Sequence, residues 1–107
     1  MANECSRREQ ILAMLQEDPT DSFLLYGLAM SYVSEGDDAG AVQRFTELLR
    51  IKADYIPGFH QGGLALMRLG RAAEARKLLE TGVRIALAQG NHHAAEEMQG
   101  VLEGIEN

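Results

Sequence analysis

The sequence of 107 residues contains no tryptophan, two prolines and a single cysteine, and only 6% of its residues are aromatic. With Cys5 alone, the chain can form neither an intramolecular disulfide nor a zinc site built from several thiolates. No uncharged run is longer than the 13 residues of 22–34, which are too few to cross a membrane as a helix. The apolar residues 11–15 are likewise too few for a signal peptide, so we expect a cytoplasmic protein.

Basic residues are also scarce, because ten lysines and arginines face sixteen aspartates and glutamates and leave a formal net charge of −6. This excess of negative charge disfavours nucleic acids and anionic membrane surfaces as main ligands, so we expect neither as a partner. A hydrophobic fraction of 46% with 24% charged residues is typical of a folded chain rather than a disordered one. A chain of this length is predicted to form one domain over residues 1–107.

Helical spacing of apolar residues extends through most of the chain, and no alternating pattern or short glycine turn predicts a strand. Residues 20–22 are candidate N-caps of a second helix, Asp37 or Asp38 caps a third, and Gly36 and Gly70 are expected to end helices in the left-handed conformation. The predicted helices cover residues 4–17, 22–34, 39–52, 57–69, 72–88 and 92–105.

Several residues recur at a spacing of 34 positions. The identical pairs are Gly36 and Gly70, Ala39 and Ala73, Ala41 and Ala75, Arg50 and Arg84, and Ile51 and Ile85. A fixed period between 20 and 50 residues indicates stacked structural units rather than one globular core.

This period, with two helices in each unit, resembles the tetratricopeptide repeat, whose pattern has a large residue, a Leu-Gly pair and a tyrosine on the first helix, then an alanine and a phenylalanine on the second. In residues 22–55 the matching residues are Leu25, Leu28, Ala29, Tyr32, Ala41 and Phe45. In residues 56–89 they are Phe59, Gly62, Gly63, Leu66, Ala75 and Leu79, so Gly62 stands where leucine is usual.

The resemblance implies an all-α fold of five to six antiparallel helices, arranged as helix-turn-helix repeats in a fragment of a right-handed superhelix. Residues 22–55 and 56–89 would be the two full repeats. Residues 4–21 would be half of a preceding repeat, and residues 90–107 a capping helix, because a repeat array needs a polar outer face at its ends.

In that family the first helix of each unit lines a concave surface on which peptide ligands lie. By this resemblance, the candidate peptide-binding residues are Phe23, Tyr26, Met30, Val33, His60, Gln61, Leu64, Met67 and Arg68. Together they form an apolar, methionine-containing groove, which suits a helix or an extended peptide of a protein partner. Three interpretations stay open, namely an open peptide groove, a homodimer interface, and a face that the chain's own terminal helices cover.

The function that the resemblance implies is a non-catalytic protein-interaction module, such as a scaffold or adaptor. The alternatives are a structural domain that self-associates through the same groove and a small secretion-type chaperone for an apolar client segment. Some members of the family grip acidic chaperone tails with a lysine–asparagine clamp, but Tyr26 and Met30 occupy those positions here. Arg68 is the one groove residue expected to meet a carboxylate of the ligand.

The sequence predicts no catalytic residue, cofactor or metal site. His92 with Glu96, and His93 with Glu97, have the four-residue spacing of two ligands on one helix face, but a zinc site needs more than two. A surface pair of histidine and carboxylate is the interpretation that we prefer. His60 has no serine or cysteine at a spacing that suggests a nucleophile, so we do not expect an enzyme.

Overall fold

The computed structural model describes residues 4–105, with side chains from Arg7 onward, so the Cys5 thiol lies outside the described part. All regular structure in this range is helical, which confirms the predicted all-α fold. The helices are α1 Glu4–Glu17, α2 Ser22–Ser34, α3 Asp38–Ile51, α4 Ile56–Arg68, α5 Ala72–Ala88 and α6 His92–Ile105. Four helices have the predicted bounds, whereas α3 and α4 each begin and end one residue earlier.

Three helices end at a glycine in the left-handed conformation, with φ values of 79° at Gly36, 77° at Gly70 and 75° at Gly90. In each turn the residue after the glycine donates its backbone N–H to a carbonyl five residues earlier, which satisfies a helix end. The bonds are Asp37 to Tyr32 and Arg71 to Leu66, both 2.9 Å, and Asn91 to Ala86, 2.8 Å. The turns after α2, α4 and α5 therefore share one geometry.

Side chains that accept hydrogen bonds from the first turn fix the starts of α2, α3 and α6. The Oδ1 atoms of Asp21, Asp37 and Asn91 each accept the backbone N–H three residues on, at 3.0, 2.9 and 3.1 Å. Because Asp37 is the cap, Asp38 becomes the first residue of α3.

Each helix packs against the next one in the chain, and α4 also contacts α2 and α6. The helices α2, α4 and α6 therefore form one layer, with α3 and α5 beside it. A first cluster of buried residues between α2 and α3 consists of Leu25, Ala29, Ala41, Phe45 and Leu48. A second, between α4, α5 and α6, consists of Phe59, Leu79, Ala86, Ala95, Met98 and Leu102.

Small residues allow the paired helices to approach closely, as the sequence predicts. Ala29 and Ala41 are fully buried between α2 and α3. In α4, a Cβ atom added to Gly63 would lie 2.6 Å from Cγ and Cδ2 of Leu79 on α5. The α4–α5 spacing thus requires a residue without a side chain at position 63. Among the described residues, no helix is both long and apolar enough to span a membrane.

Candidate functional site

A cavity of about 520 Å³ opens on the side of the layer formed by α2, α4 and α6. We call it the inner cavity. Its lining comes from α2, from the chain between α3 and α4, from the start of α4, and from the start of α6. The lining residues are Tyr26, Lys52, Asp54, Tyr55, Ile56, Pro57, His60, Gln61, Gln89, Asn91, His93, Ala94 and Glu97.

Two tyrosines form the aromatic wall of the inner cavity. Tyr26 lies with its ring centroid 5.7 Å from that of Tyr55 and 6.1 Å from that of Phe45, both in tilted arrangements. Such ring pairs are favourable and hold the tyrosines in place. Burial, with a smaller contribution from the neighbouring Tyr55, raises the pKa of Tyr26 above its ordinary value of about 10. The Tyr26 hydroxyl is therefore a neutral hydrogen-bonding group at physiological pH.

Much of the remaining lining is polar and carries both signs of charge. Lys52 Nζ lies 3.4 Å from Asp54 Oδ1, and Gln89 Nε2 lies 3.4 Å from the Asp54 carbonyl oxygen. His93 Nε2 lies 3.4 Å from Glu97 Oε2, which is the surface histidine–carboxylate pair that the sequence suggests. These contacts are long, so the groups keep capacity for hydrogen bonds to a ligand. Within residues 4–105 no three histidine, cysteine or carboxylate side chains are grouped to hold a metal ion.

The structure brings three of the nine predicted binding residues together, because Tyr26, His60 and Gln61 line the inner cavity. Four other predicted apolar residues on the same helices do not line the inner cavity and are half-buried. They are Met30 and Val33, which pack against the first cluster, and Leu64 and Met67.

The remaining two predicted residues have other surroundings. Phe23 is 74% exposed and does not line the inner cavity. Arg68 binds a carboxylate of its own chain, since its Nε donates to Asp38 Oδ1 at 3.0 Å and its terminal NH2 nitrogen lies 2.9 Å from the same oxygen. Asp38 would therefore compete with the ligand carboxylate that Arg68 was expected to bind.

Comparison with known proteins supports the repeat assignment. No family model matches the chain. The TPR repeat-containing protein PA0015 of Pseudomonas aeruginosa is 26% identical over 98 residues, which are 92% of this chain and 93% of that protein. The solution structure of a tetratricopeptide repeat domain protein from Salinibacter ruber has a TM-score of 0.77 at 27% identity, covering 83% of this chain and 90% of its own. The chain has the fold of a small tetratricopeptide-repeat protein.

A third similar structure is that of PcrH in complex with the chaperone binding region of PopD. It has a TM-score of 0.89 and covers 96% of this chain and 78% of PcrH, at 17% sequence identity. At that identity the likeness concerns the fold alone. A tetratricopeptide-like fold fits a protein-interaction module, and the described cavity offers binding groups without a metal cluster.

Ten residues that line the inner cavity are not predicted by the sequence analysis. They are Lys52, Asp54, Tyr55, Ile56, Pro57, Gln89, Asn91, His93, Ala94 and Glu97. The last four are the cap and the first turns of α6, which a 34-residue period does not align with α4. The buried residues Ala95, Met98 and Leu102 lie 36 positions after Phe59, Gly62 and Leu66. A search at an offset of 36 would therefore have aligned α6 with α4.

Proposed function

We propose that this protein is a non-catalytic interaction module that binds an extended peptide segment of a protein partner in the inner cavity. The observation that carries the proposal is the pairing of the Tyr26–Tyr55 wall with side-chain amides in one cavity of about 520 Å³. A pocket of this volume is large enough for a few side chains of a ligand.

The amides of Gln61, Gln89 and Asn91 favour an extended peptide over a helix as the ligand. Gln61 has both donors and an acceptor for the free C=O and N–H of an extended backbone. Gln89 keeps its side-chain oxygen as an acceptor while its Nε2 contacts Asp54, and Asn91 keeps its NH2 donors while its Oδ1 caps α6. A helix satisfies its backbone groups internally and would leave these amides with water. The tyrosine faces would bind an apolar or aromatic side chain of the same peptide.

The test is a selection of 15-residue random peptides displayed on phage, followed by calorimetric titration of an enriched peptide. We expect Gln61→Arg to weaken the binding of that peptide at least tenfold, because it removes an amide and fills part of the cavity. The matched control is Gln43→Arg, the same change at an exposed position of α3 outside the cavity. Failure to enrich any peptide, or equal weakening by both variants, would contradict the proposal.

A secretion-type chaperone is the second candidate, favoured by the structural likeness to PcrH in complex with the chaperone binding region of PopD. The same selection separates the two functions. An adaptor should enrich one related set of sequences, whereas a chaperone should enrich several unrelated apolar sequences. A homodimer that closes the inner cavity would instead compete with every peptide, and the measured affinity would fall as the protein concentration rises.

A further inference from the structure

A second depression lies on the other layer of the molecule, between α3 and α5, with α4 beneath it. We call it the outer groove. Its volume is about 420 Å³, and its apolar lining includes Val42, Phe45, Leu49, Phe59, Leu66 and Leu78. It shares no lining residue with the inner cavity. Gly62 contributes to its floor without a side chain, 34 residues after Leu28 of the first repeat.

The surface around the outer groove is positively charged, although the whole chain carries −6. Arg71, Lys77 and Glu74 line the groove, and Arg71 is bound to Glu74 by two hydrogen bonds of 2.7 Å. An adjoining depression shares Arg71 and adds Arg44, Arg50 and Glu47. The four cations exceed the two carboxylates, so the rim attracts an acidic ligand.

The chain itself carries a segment with the complementary chemistry. Phe23, at 74%, is the most exposed of the large hydrophobic side chains and therefore does not fill its own chain's outer groove. Glu17, Asp18 and Asp21 precede it within six residues. No lysine or arginine lies between Arg8 and Arg44 in the sequence, so residues 9–43 carry only negative formal charges.

We propose that Phe23 of one molecule inserts into the outer groove of a second copy of this chain. The ring would contact the apolar floor, and the carboxylates of residues 17–21 would lie beside Lys77 and the rim arginines. The two surfaces differ, so the contact is heterologous and joins copies head to tail. It uses none of the side chains that line the inner cavity and does not depend on the proposed function.

Sedimentation velocity of the full chain over a range of concentrations tests this proposal. We expect the average mass to rise above 11.7 kDa with concentration and to fall when salt screens the charges. Phe23→Ser and Thr46→Trp should each weaken association at least tenfold, because one removes the aromatic ring and the other fills the groove from an exposed position. Lys77→Glu is a second groove variant that changes only an exposed charge.

The controls match these variants in chemistry but lie outside both surfaces. Leu87→Ser removes a side chain that is 51% exposed, and Lys52→Glu reverses a charge beside the inner cavity, which shares no lining residue with the outer groove. Both should associate as the wild type does. A wild type that stays at 11.7 kDa, or controls that lose association equally, would overturn the proposal.

Mixing two variants makes the test specific for this contact. A Phe23→Ser copy keeps its groove, and a Thr46→Trp copy keeps its phenylalanine. Each should be monomeric alone, whereas the mixture should form pairs with twice the mass of one chain. Absence of association in the mixture, while circular dichroism shows both variants folded, would rule out the insertion.

Discussion

Gly63 and Gly100 both lie inside helices but have opposite surroundings. A Cβ atom at Gly63 would come within 2.6 Å of Cγ of Leu79, a residue with no exposed surface. Leu79 is packed on all sides and has little room to move away. At Gly100, on the exposed side of α6, no atom lies within 4 Å of an added Cβ. Only the first glycine is required by the packing.

We therefore predict opposite effects of one substitution at these positions. Gly63→Ala should lower the free energy of unfolding by about 1–3 kcal/mol, because overpacking outweighs the gain in helix propensity. Gly100→Ala should raise it by up to about 1 kcal/mol, since only the propensity changes. Urea denaturation of both variants measures the difference. If Gly63→Ala instead raised the free energy of unfolding, α4 and α5 could move apart slightly at little cost in free energy.

At the scale of residues, the sequence does not predict which side chains come into contact across neighbouring helices. Gly63 and Ala75 both match the repeat pattern, but the side chain nearest to Gly63 is that of Leu79. Arg68 was expected at the edge of a ligand site, and it pairs with Asp38 instead. Asp38 lies 30 residues away in the chain, so this pairing depends on how α3 and α4 pack and not on local spacing.

At the scale of helices, Arg8 fixes α1 to α2. Its guanidinium carbon lies 3.7 Å from the centroid of the Tyr32 ring, and its Nε donates to Ser31 Oγ at 3.1 Å. A terminal nitrogen lies 3.0 Å from Glu35 Oε2. The planar guanidinium can stack, donate and pair at once, which a lysine ammonium cannot.

Arg8→Lys should therefore loosen α1 while keeping its charge. We expect a loss of about 1–2 kcal/mol in the stability of α1, from the stacking contact and one hydrogen bond. Hydrogen exchange of the α1 amides, compared with those of α5, measures it. Arg84→Lys on the exposed face of α5 is the control and should leave α1 unchanged. Equal exchange rates in the wild type and in Arg8→Lys would show that the apolar contacts of α1 are enough to hold it against α2.

The extent of the helices was predictable because glycine and capping residues act locally. The burial of α1 was less predictable, because Leu12 and Met14 belong to its apolar residues 11–15 and yet are 45% and 49% exposed. Periodicity shows that a helix has an apolar face. It does not show how much of that face the neighbouring helix covers, which here depends on the Arg8 contacts and the position of α2.

At the scale of the whole molecule, two buried clusters follow each other along a body of 41 × 28 × 21 Å. The 34-residue period predicted the layers because it relates α2 to α4 and α3 to α5. It did not predict the role of α6 in the inner cavity. The chain from α5 to α6 runs through a left-handed Gly90 and shifts the buried residues of α6 to an offset of 36. A search for a single period misses such a shift.

Stability in stacked repeats is shared mainly between neighbours, so the two clusters should open separately. Met98 has no exposed surface in the second cluster, and Leu48 has none in the first. Met98→Ala should lower the free energy of unfolding by about 2–5 kcal/mol and speed amide exchange in α5 and α6 more than in α2 and α3. Leu48→Ala should lower it by a similar amount but speed exchange more in α2 and α3 than in α5 and α6.

Native-state hydrogen exchange followed helix by helix distinguishes this behaviour from a single cooperative core. If either substitution accelerates exchange equally in α2 and in α6, the clusters unfold as one unit and the nearest-neighbour description fails. If the effects stay separate, α4 should respond to both, since it contacts α2, α3, α5 and α6. It also carries His60 and Gln61 into the inner cavity. Loosening either cluster would then weaken peptide binding through α4, without any change in the cavity's own side chains.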